Sequence, residues 1–316
     1  MNHKDNYIKI KIEGLFDLEE LEKKYRINAN DLRNFHNQHC SFQEFIPTTL
    51  VNYIPYIYLP IPIYNTWKER QLSEKGIKAP SINYSKKYGV LINFIPKNLS
   101  IHYELSISKN NLYTEVIKDK SFFNNEEADL LVEQLIQQAS NTLYPLKLIL
   151  KDNGEINTIF NDADIKTRWE QDIKPSLDTY YKSDISINIL NKVDYIFFDI
   201  NNNISLLNNN LFFNVFFAPI YEEYNDYKKH KTLDFHIPSI KENIEFNCLM
   251  SLDKEYSFQN KIILNIEGTN IDKNGELSII YKLNRDFNTI YSIVGEVSIY
   301  DKDQDFKIAF EIFELE

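Results

Sequence analysis

Cysteine is nearly missing from this chain of 316 residues: only Cys40 and Cys248 are present, too few for a disulfide framework. Glycine is scarce, at 7 residues, and none falls in a Gly-x-x-x-x-Gly-Lys phosphate loop. The His-Glu-x-x-His and Gly-x-Ser-x-Gly signatures are missing as well, so the common metalloprotease and serine-hydrolase arrangements are excluded. Basic residues are outnumbered, with 35 Lys and Arg against 46 Asp and Glu. Lys23-Lys24 and Lys228-Lys229 sit among carboxylates instead of forming a stripe, which argues against nucleic acid as a partner. No apolar run reaches membrane-spanning length; LFFNVFFAPIY at 211–221 is short and is interrupted by Asn214 and Pro219. The opening MNHKDNYIKIKIEG lacks the apolar core of a secretory signal. The expectation is a cytoplasmic protein without membrane insertion.

What the chain does have is aromatic and β-branched residues in recognisable periods. Tyr7-Ile8-Lys9-Ile10-Lys11-Ile12 alternates as a strand. Leu18, Leu21 and Tyr25 follow helical steps, and Asn28 or Asn30 is placed to cap a second helix carrying Leu32 and Phe35. Tyr56-Ile57-Tyr58-Leu59-Pro60 reads as a closing strand. The order strand, helix, helix, strand makes a small unit, a size at which a lone domain is only marginally stable.

These residues resemble a LysM (lysin motif) domain over about residues 5–62. Leu18, Leu21, Tyr25, Ile27 and Leu32 fall in the family's register. Leu32-Arg33-Asn34-Phe35-His36-Asn37 stands where the family carries Leu-x-x-Trp-Asn-Asn, and Ile57-Tyr58-Leu59-Pro60 matches its final strand. The family's Gly-Asp-Thr-Leu is replaced by Gly14-Leu15-Phe16-Asp17-Leu18, one residue longer and without the Thr, and the link after Asn37 is longer too. In carbohydrate-binding members those two loops form the groove for N-acetylglucosamine. The resemblance thus implies a docking or glycan surface made by Leu15, Phe16, Asp17, Phe35, His36 and Asn37, with Phe35 closing the helix pair.

His36, His39 and Cys40 have helical spacing suited to a shared metal, but a structural zinc site needs a second ligand pair. No metal and no cofactor are expected. Residues 63–86, rich in Pro and charge, read as a linker with a short helix around Trp67, separating a module at 1–62 from a body at 87–316.

In the body, Ile101/Tyr103/Leu105/Ile107, Phe246/Cys248/Met250 and Leu277/Ile279/Tyr281/Leu283 alternate with polar residues, and Asp152-Asn153-Gly154 signals a hairpin. Helical patterns lie at Glu126–Ser140, with Asn124 or Asn125 as cap, at Asp162–Tyr181, kinked at Pro175, and at Asp184–Ile200. The fold class is α+β: a small βααβ LysM-like module, then an antiparallel sheet with an inserted helical layer whose apolar faces fill one another. Glu222-Glu223 with Asp226 is a weak candidate acid pair, and Asp301–Asp305 reads as a solvated hairpin tip. The leading expectation is a non-enzymatic adaptor docking onto other proteins of a larger assembly, of the contractile injection or type VI secretion kind. The alternatives are a peptidoglycan- or chitin-binding protein and an enzyme with an unrecognised site.

Overall fold

The computed structural model describes residues 6–12, 16–47, 54–127, 131–238, 240, 242–272 and 274–315. The chain divides into two compact units, Met1–Gln71 and Leu72–Glu316. In the first, β1 (Tyr7–Lys11) pairs antiparallel with β2 (Tyr56–Pro60), placing Ile8 opposite Leu59 and Ile10 opposite Ile57. Between the strands lie α1 (Leu18–Tyr25) and α2 (Ala29–His39). Asp17 starts α1 by accepting hydrogen bonds from the backbone N–H groups of Glu19 and Glu20, and Arg26 ends it in the left-handed region at φ 53°. Glu19 and Glu20 in its first turn and Lys23 and Lys24 in its last complement the helix dipole. Of the two asparagines expected as caps for α2, Asn28 takes the role, accepting from the Asn30 N–H at 2.9 Å.

The first core consists of Leu21, Tyr25, Leu32, Ile46, Ile54, Ile57 and Leu59. A third helix, α3 (Ile61–Arg70), follows β2 directly because Pro62 fits the first turn of a helix. Its Trp67 meets Tyr25 edge-on, with ring centroids 5.4 Å apart. The stretch expected as a linker is therefore divided: α3 packs into the first unit, whereas Leu72 and Ile77 belong to the core of the second.

The second unit is built on one antiparallel sheet. Its first part holds β3 (Tyr84–Ile95), β4 (Leu99–Lys109), β5 (Thr114–Phe123), the short β6 (Glu126–Glu127), β7 (Leu146–Leu150) and β8 (Ile156–Ile159). Its second part holds β9 (Lys228–Ile237), β10 (Glu242–Leu252), β11 (Lys261–Asn270), β12 (Gly275–Asn284), β13 (Ile290–Asp301) and β14 (Gln304–Leu315). The order is β8-β7-β5-β4-β3-β14-β13-β12-β11-β10-β9, with β6 beside β5. β3 and β14 join the two meanders, Ile92 facing Phe310 and Val90 facing Ile312. Helices and a large antiparallel sheet together make the fold α+β.

Alternate residues of these strands, among them Tyr88, Leu105, Met250, Leu264 and Tyr281, share a core with Trp169, Leu190, Phe212 and Phe213 from the helical segment. The Tyr281 hydroxyl donates to the Val215 carbonyl at 2.8 Å, giving a buried polar tip its partner. Gly154 closes the β7–β8 hairpin at φ +96°, where a Cβ would meet the Tyr221 ring at 2.7 Å. Lys302 and Asp303, at φ 48° and 62°, form the tight turn between β13 and β14, as expected for the Asp301–Asp305 tip.

Two helices differ from their sequence pattern. The one expected at Glu126 is α4 (Leu131–Asn141), because Asn124 and Asn125 adopt φ 50° and 68° and turn Glu126 and Glu127 back along β5. The one expected at Asp162–Tyr181 is α5 (Asp162–Thr167), a π-helical turn at Arg168–Ile173, and α6 (Lys174–Tyr180). The Lys174 N–H bonds the Trp169 carbonyl, five residues back. Pro175 offers no N–H and a helical proline ring crowds the carbonyl four residues back, here that of Gln171, so the hydrogen-bond ladder widens there. α7 (Asp184–Phe198) starts on a Ser183 cap, and a 3-10 segment, Ile204–Asn209, leads into α8 (Leu211–Phe216).

Candidate functional site

The best-defined polar construction in the first unit surrounds the end of α2. After His39 the chain makes a single 3-10 turn, Phe42–Glu44. Ser41-Phe42-Gln43-Glu44 is a capping box: the Glu44 carboxylate accepts from the Ser41 N–H at 3.4 Å and its hydroxyl at 3.3 Å. The same carboxylate accepts from Lys9 Nζ on β1 at 2.8 Å and from the Tyr58 hydroxyl on β2 at 3.1 Å. The Lys9 bond, with those of Tyr58 and Ser41, holds the Glu44 carboxyl below its usual range against the opposing effect of burial. The Lys9 ammonium also lies 4.1 Å from the Tyr56 ring centroid.

His36 is fully buried beneath the turn. The Tyr58 N–H donates to its Nδ1 at 3.2 Å, so the proton sits on Nε2, which donates to the Glu44 carbonyl at 2.6 Å. Burial pushes its pKa down, and both nitrogens of the neutral ring are occupied. Beside it, Asn37 Nδ2 donates to the Ile46 carbonyl and the Ile46 N–H donates to Asn37 Oδ1, both at 2.8 Å. His36, Asn37, Glu44, Lys9 and Tyr58 thus pin the segment 41–46 from both sides. What that segment displays is aromatic: Phe42 is 95% exposed and Phe45 48%.

The residues proposed from sequence fall into distinct places. His36 and Asn37 are brought together in the network just described. Asp17 is occupied in capping α1, and Phe16 is packed against the first core instead of standing free in a loop. Phe35 does not close the helix pair: α2 buries the Leu32/His36 stripe, which leaves Phe35 at its edge, partly exposed and stacked on His39 at 4.3 Å. Leu15 lies outside the described residues. Glu44, Lys9, Tyr58 and Phe42 are not among the candidate site residues of the sequence, although Ser41-x-x-Glu44 is a legible capping box. Nothing local announces the Lys9–Glu44 pair, whose partners are 35 residues apart.

His36, His39 and Cys40 do not converge. His39 Nδ1 faces the Phe35 carbonyl at 2.7 Å, and no cluster of three or more His, Cys, Asp or Glu among the described residues is placed to hold a metal. In the second unit, burial alone would raise the Glu222 carboxyl, but hydrogen bonds from Lys229 and Lys231 hold it below its usual range. Glu222 is therefore a paired carboxylate, not a proton-holding acid. Cys248 is 2% exposed, and burial pushes its thiol up to about 11, so it is an inert core residue. No helix among the described residues is long and apolar enough to cross a membrane. No protein-family model matches the chain, and no curated protein matches it.

Proposed function

We propose that the chain is a protein-docking component that engages a partner protein through the aromatic turn of its first unit. The observation that carries this reading is Phe42, 95% exposed on a turn fixed by side-chain hydrogen bonds. Protein interfaces concentrate their binding energy in a few aromatic anchors, and an anchor held in place beforehand loses little freedom on binding. The strand–helix–helix–strand order of the unit and the LysM-like register of Leu18, Leu21, Tyr25, Ile27 and Leu32 support the same reading. His36 and Asn37, which the resemblance would turn toward a sugar, are engaged in holding the turn. A contractile injection or type VI secretion assembly as the setting rests on family analogy alone.

The test places a photo-crosslinking phenylalanine analogue at position 42 of the full chain in its native cells. A discrete protein adduct is expected, and Phe42→Ser should abolish capture of that partner while changing stability by no more than about 0.5 kcal/mol, as surface substitutions do. Retention of the wild-type protein on insoluble peptidoglycan or chitin, unchanged in Phe42→Ser, would overturn docking in favour of glycan binding.

A further inference from the structure

A lysine with no ion pair among the described residues lies on the core side of the large sheet in the second unit. β5 directs Thr114 and Val116 inward, 2% and 0% exposed, and Lys118 continues that alternation. A bulge between Tyr103 and Leu105 on β4 shifts the register there: Leu105 faces Lys118 and Tyr103 faces Ser121. Lys118 Nζ lies 4.5 Å from the Tyr103 ring centroid, and no ion pair or hydrogen bond reaches it among the described residues.

Lys118 instead lines two cavities of about 270 and 300 Å³, which also share Ile136, Ser140, Tyr144 and Asn210. The first is walled by Val193, Phe197, Ile200 and Leu207, and the second by Ile92, Phe94, Ile101 and Phe123. The apolar faces of sheet and helices therefore do not fill one another completely at this place. Among the described residues, no carboxylate lines either cavity. The Tyr144 hydroxyl has no hydrogen-bond partner among the described residues.

Desolvating an unpaired ammonium costs several kcal/mol, and a cation–π contact returns only about 0.5–2 kcal/mol of it. Burial lowers the Lys118 pKa to about 8, which leaves the group mostly charged at neutral pH. The complement of this site is a molecule that brings one negative charge and an apolar chain. Each cavity is near the lower end of small-molecule sites, roughly 300–1,000 Å³, which suits a chain of medium length.

We propose that the paired cavities bind a small apolar carboxylic acid, its chain against α7 and its carboxylate between the Lys118 ammonium and the Tyr144 hydroxyl. This site lies in the second unit and is independent of the docking turn.

The test is calorimetric titration of the full chain with decanoate and, as the uncharged control, 1-decanol. Saturable decanoate binding is expected. Lys118→Met should weaken it about tenfold or more, the scale of one charge-assisted hydrogen bond, and leave decanol within about twofold. Thermal melting establishes that the variant is folded. Val193→Trp, which fills the first cavity, should weaken both ligands together and carries the test if Lys118→Met does not fold. Absence of saturable decanoate binding by the wild-type protein overturns the proposal. So does decanol binding as tightly as decanoate, decanoate affinity unchanged in Lys118→Met, or decanoate affinity unchanged in Val193→Trp.

Discussion

In the first unit, seven buried apolar residues make the described core, and side-chain hydrogen bonds from His36, Asn37, Lys9 and Tyr58 hold the segment after α2. In the second, apolar residues from two sheet halves and the helical segment form one continuous core. There the strongly paired charges, such as Lys86 with Glu314 at 2.6 Å, sit at its margin. A small domain buries a lower fraction of its surface than a large one, so specific polar bonds carry more of its cohesion. The comparison teaches that comparable side-chain deletions should have unequal consequences in the two units.

The largest expected effect comes from paired core truncations. Leu32 and Leu264 are both 0% exposed. Leu32→Ala and Leu264→Ala should each cost about 2–5 kcal/mol, the usual range for a buried leucine. In the smaller unit that is a large fraction of the stability of a small domain, so calorimetry of the full chain should show an early transition in Leu32→Ala. Leu264→Ala should lower the main transition without splitting it. A single, equally lowered transition in both variants would break the distinction.

Acid should separate the units next. His36 is neutral and its pKa is lowered by burial, so the unfolded chain binds its proton more readily than the folded one. The stability of the first unit is then complete above about pH 6.5, the ordinary histidine value, and is lost progressively as the pH falls below it. Glu44, whose carboxyl is also held low, adds a loss of the same sign below its ordinary range. Trp67 reports on the first unit and Trp169 on the second, so fluorescence of Trp169→Phe and Trp67→Phe variants follows each separately. His36→Gln should flatten the response of the first unit as the pH falls below about 6.5. An unchanged slope would mean that another group carries it.

The smallest effect sharpens the view of α2. Phe35→Ala should cost only about 0.5–1.5 kcal/mol, the value of an aromatic stacking pair, because its ring rests on His39 outside the core. A loss of 3 kcal/mol or more on chemical denaturation would return Phe35 to the interior and remove the contrast between it and Leu32.

The late strands are legible in sequence because Leu277, Ile279, Tyr281 and Leu283 alternate strictly, with one face apolar. β3 is not, since Tyr88-Gly89-Val90-Leu91-Ile92 is apolar on both faces and loses the two-residue signal. β5 is hidden for a different reason: Lys118 and Ser121 occupy inward positions and break the apolar pattern at the bulge. α1 lies within a legible helical pattern through Leu18, Leu21 and Tyr25, and Ser41-x-x-Glu44 carries its own signature. The burial of His36 does not, because its hydrogen-bond partners at Glu44 and Tyr58 come from other parts of the chain.

The chain by itself determined what depends on neighbours in sequence: strand alternation, hairpin turns and a negative balance of charge. Those features follow from backbone geometry and from side-chain periods of about 3.6 and 2 residues. Tertiary structure alone decided that His36 is neutral, that Phe35 lies outside the core while Phe42 is displayed, and that Lys118 lines a largely apolar cavity. Each of these is set by desolvation and by contacts between distant segments, and neither quantity is written in the local order of residues.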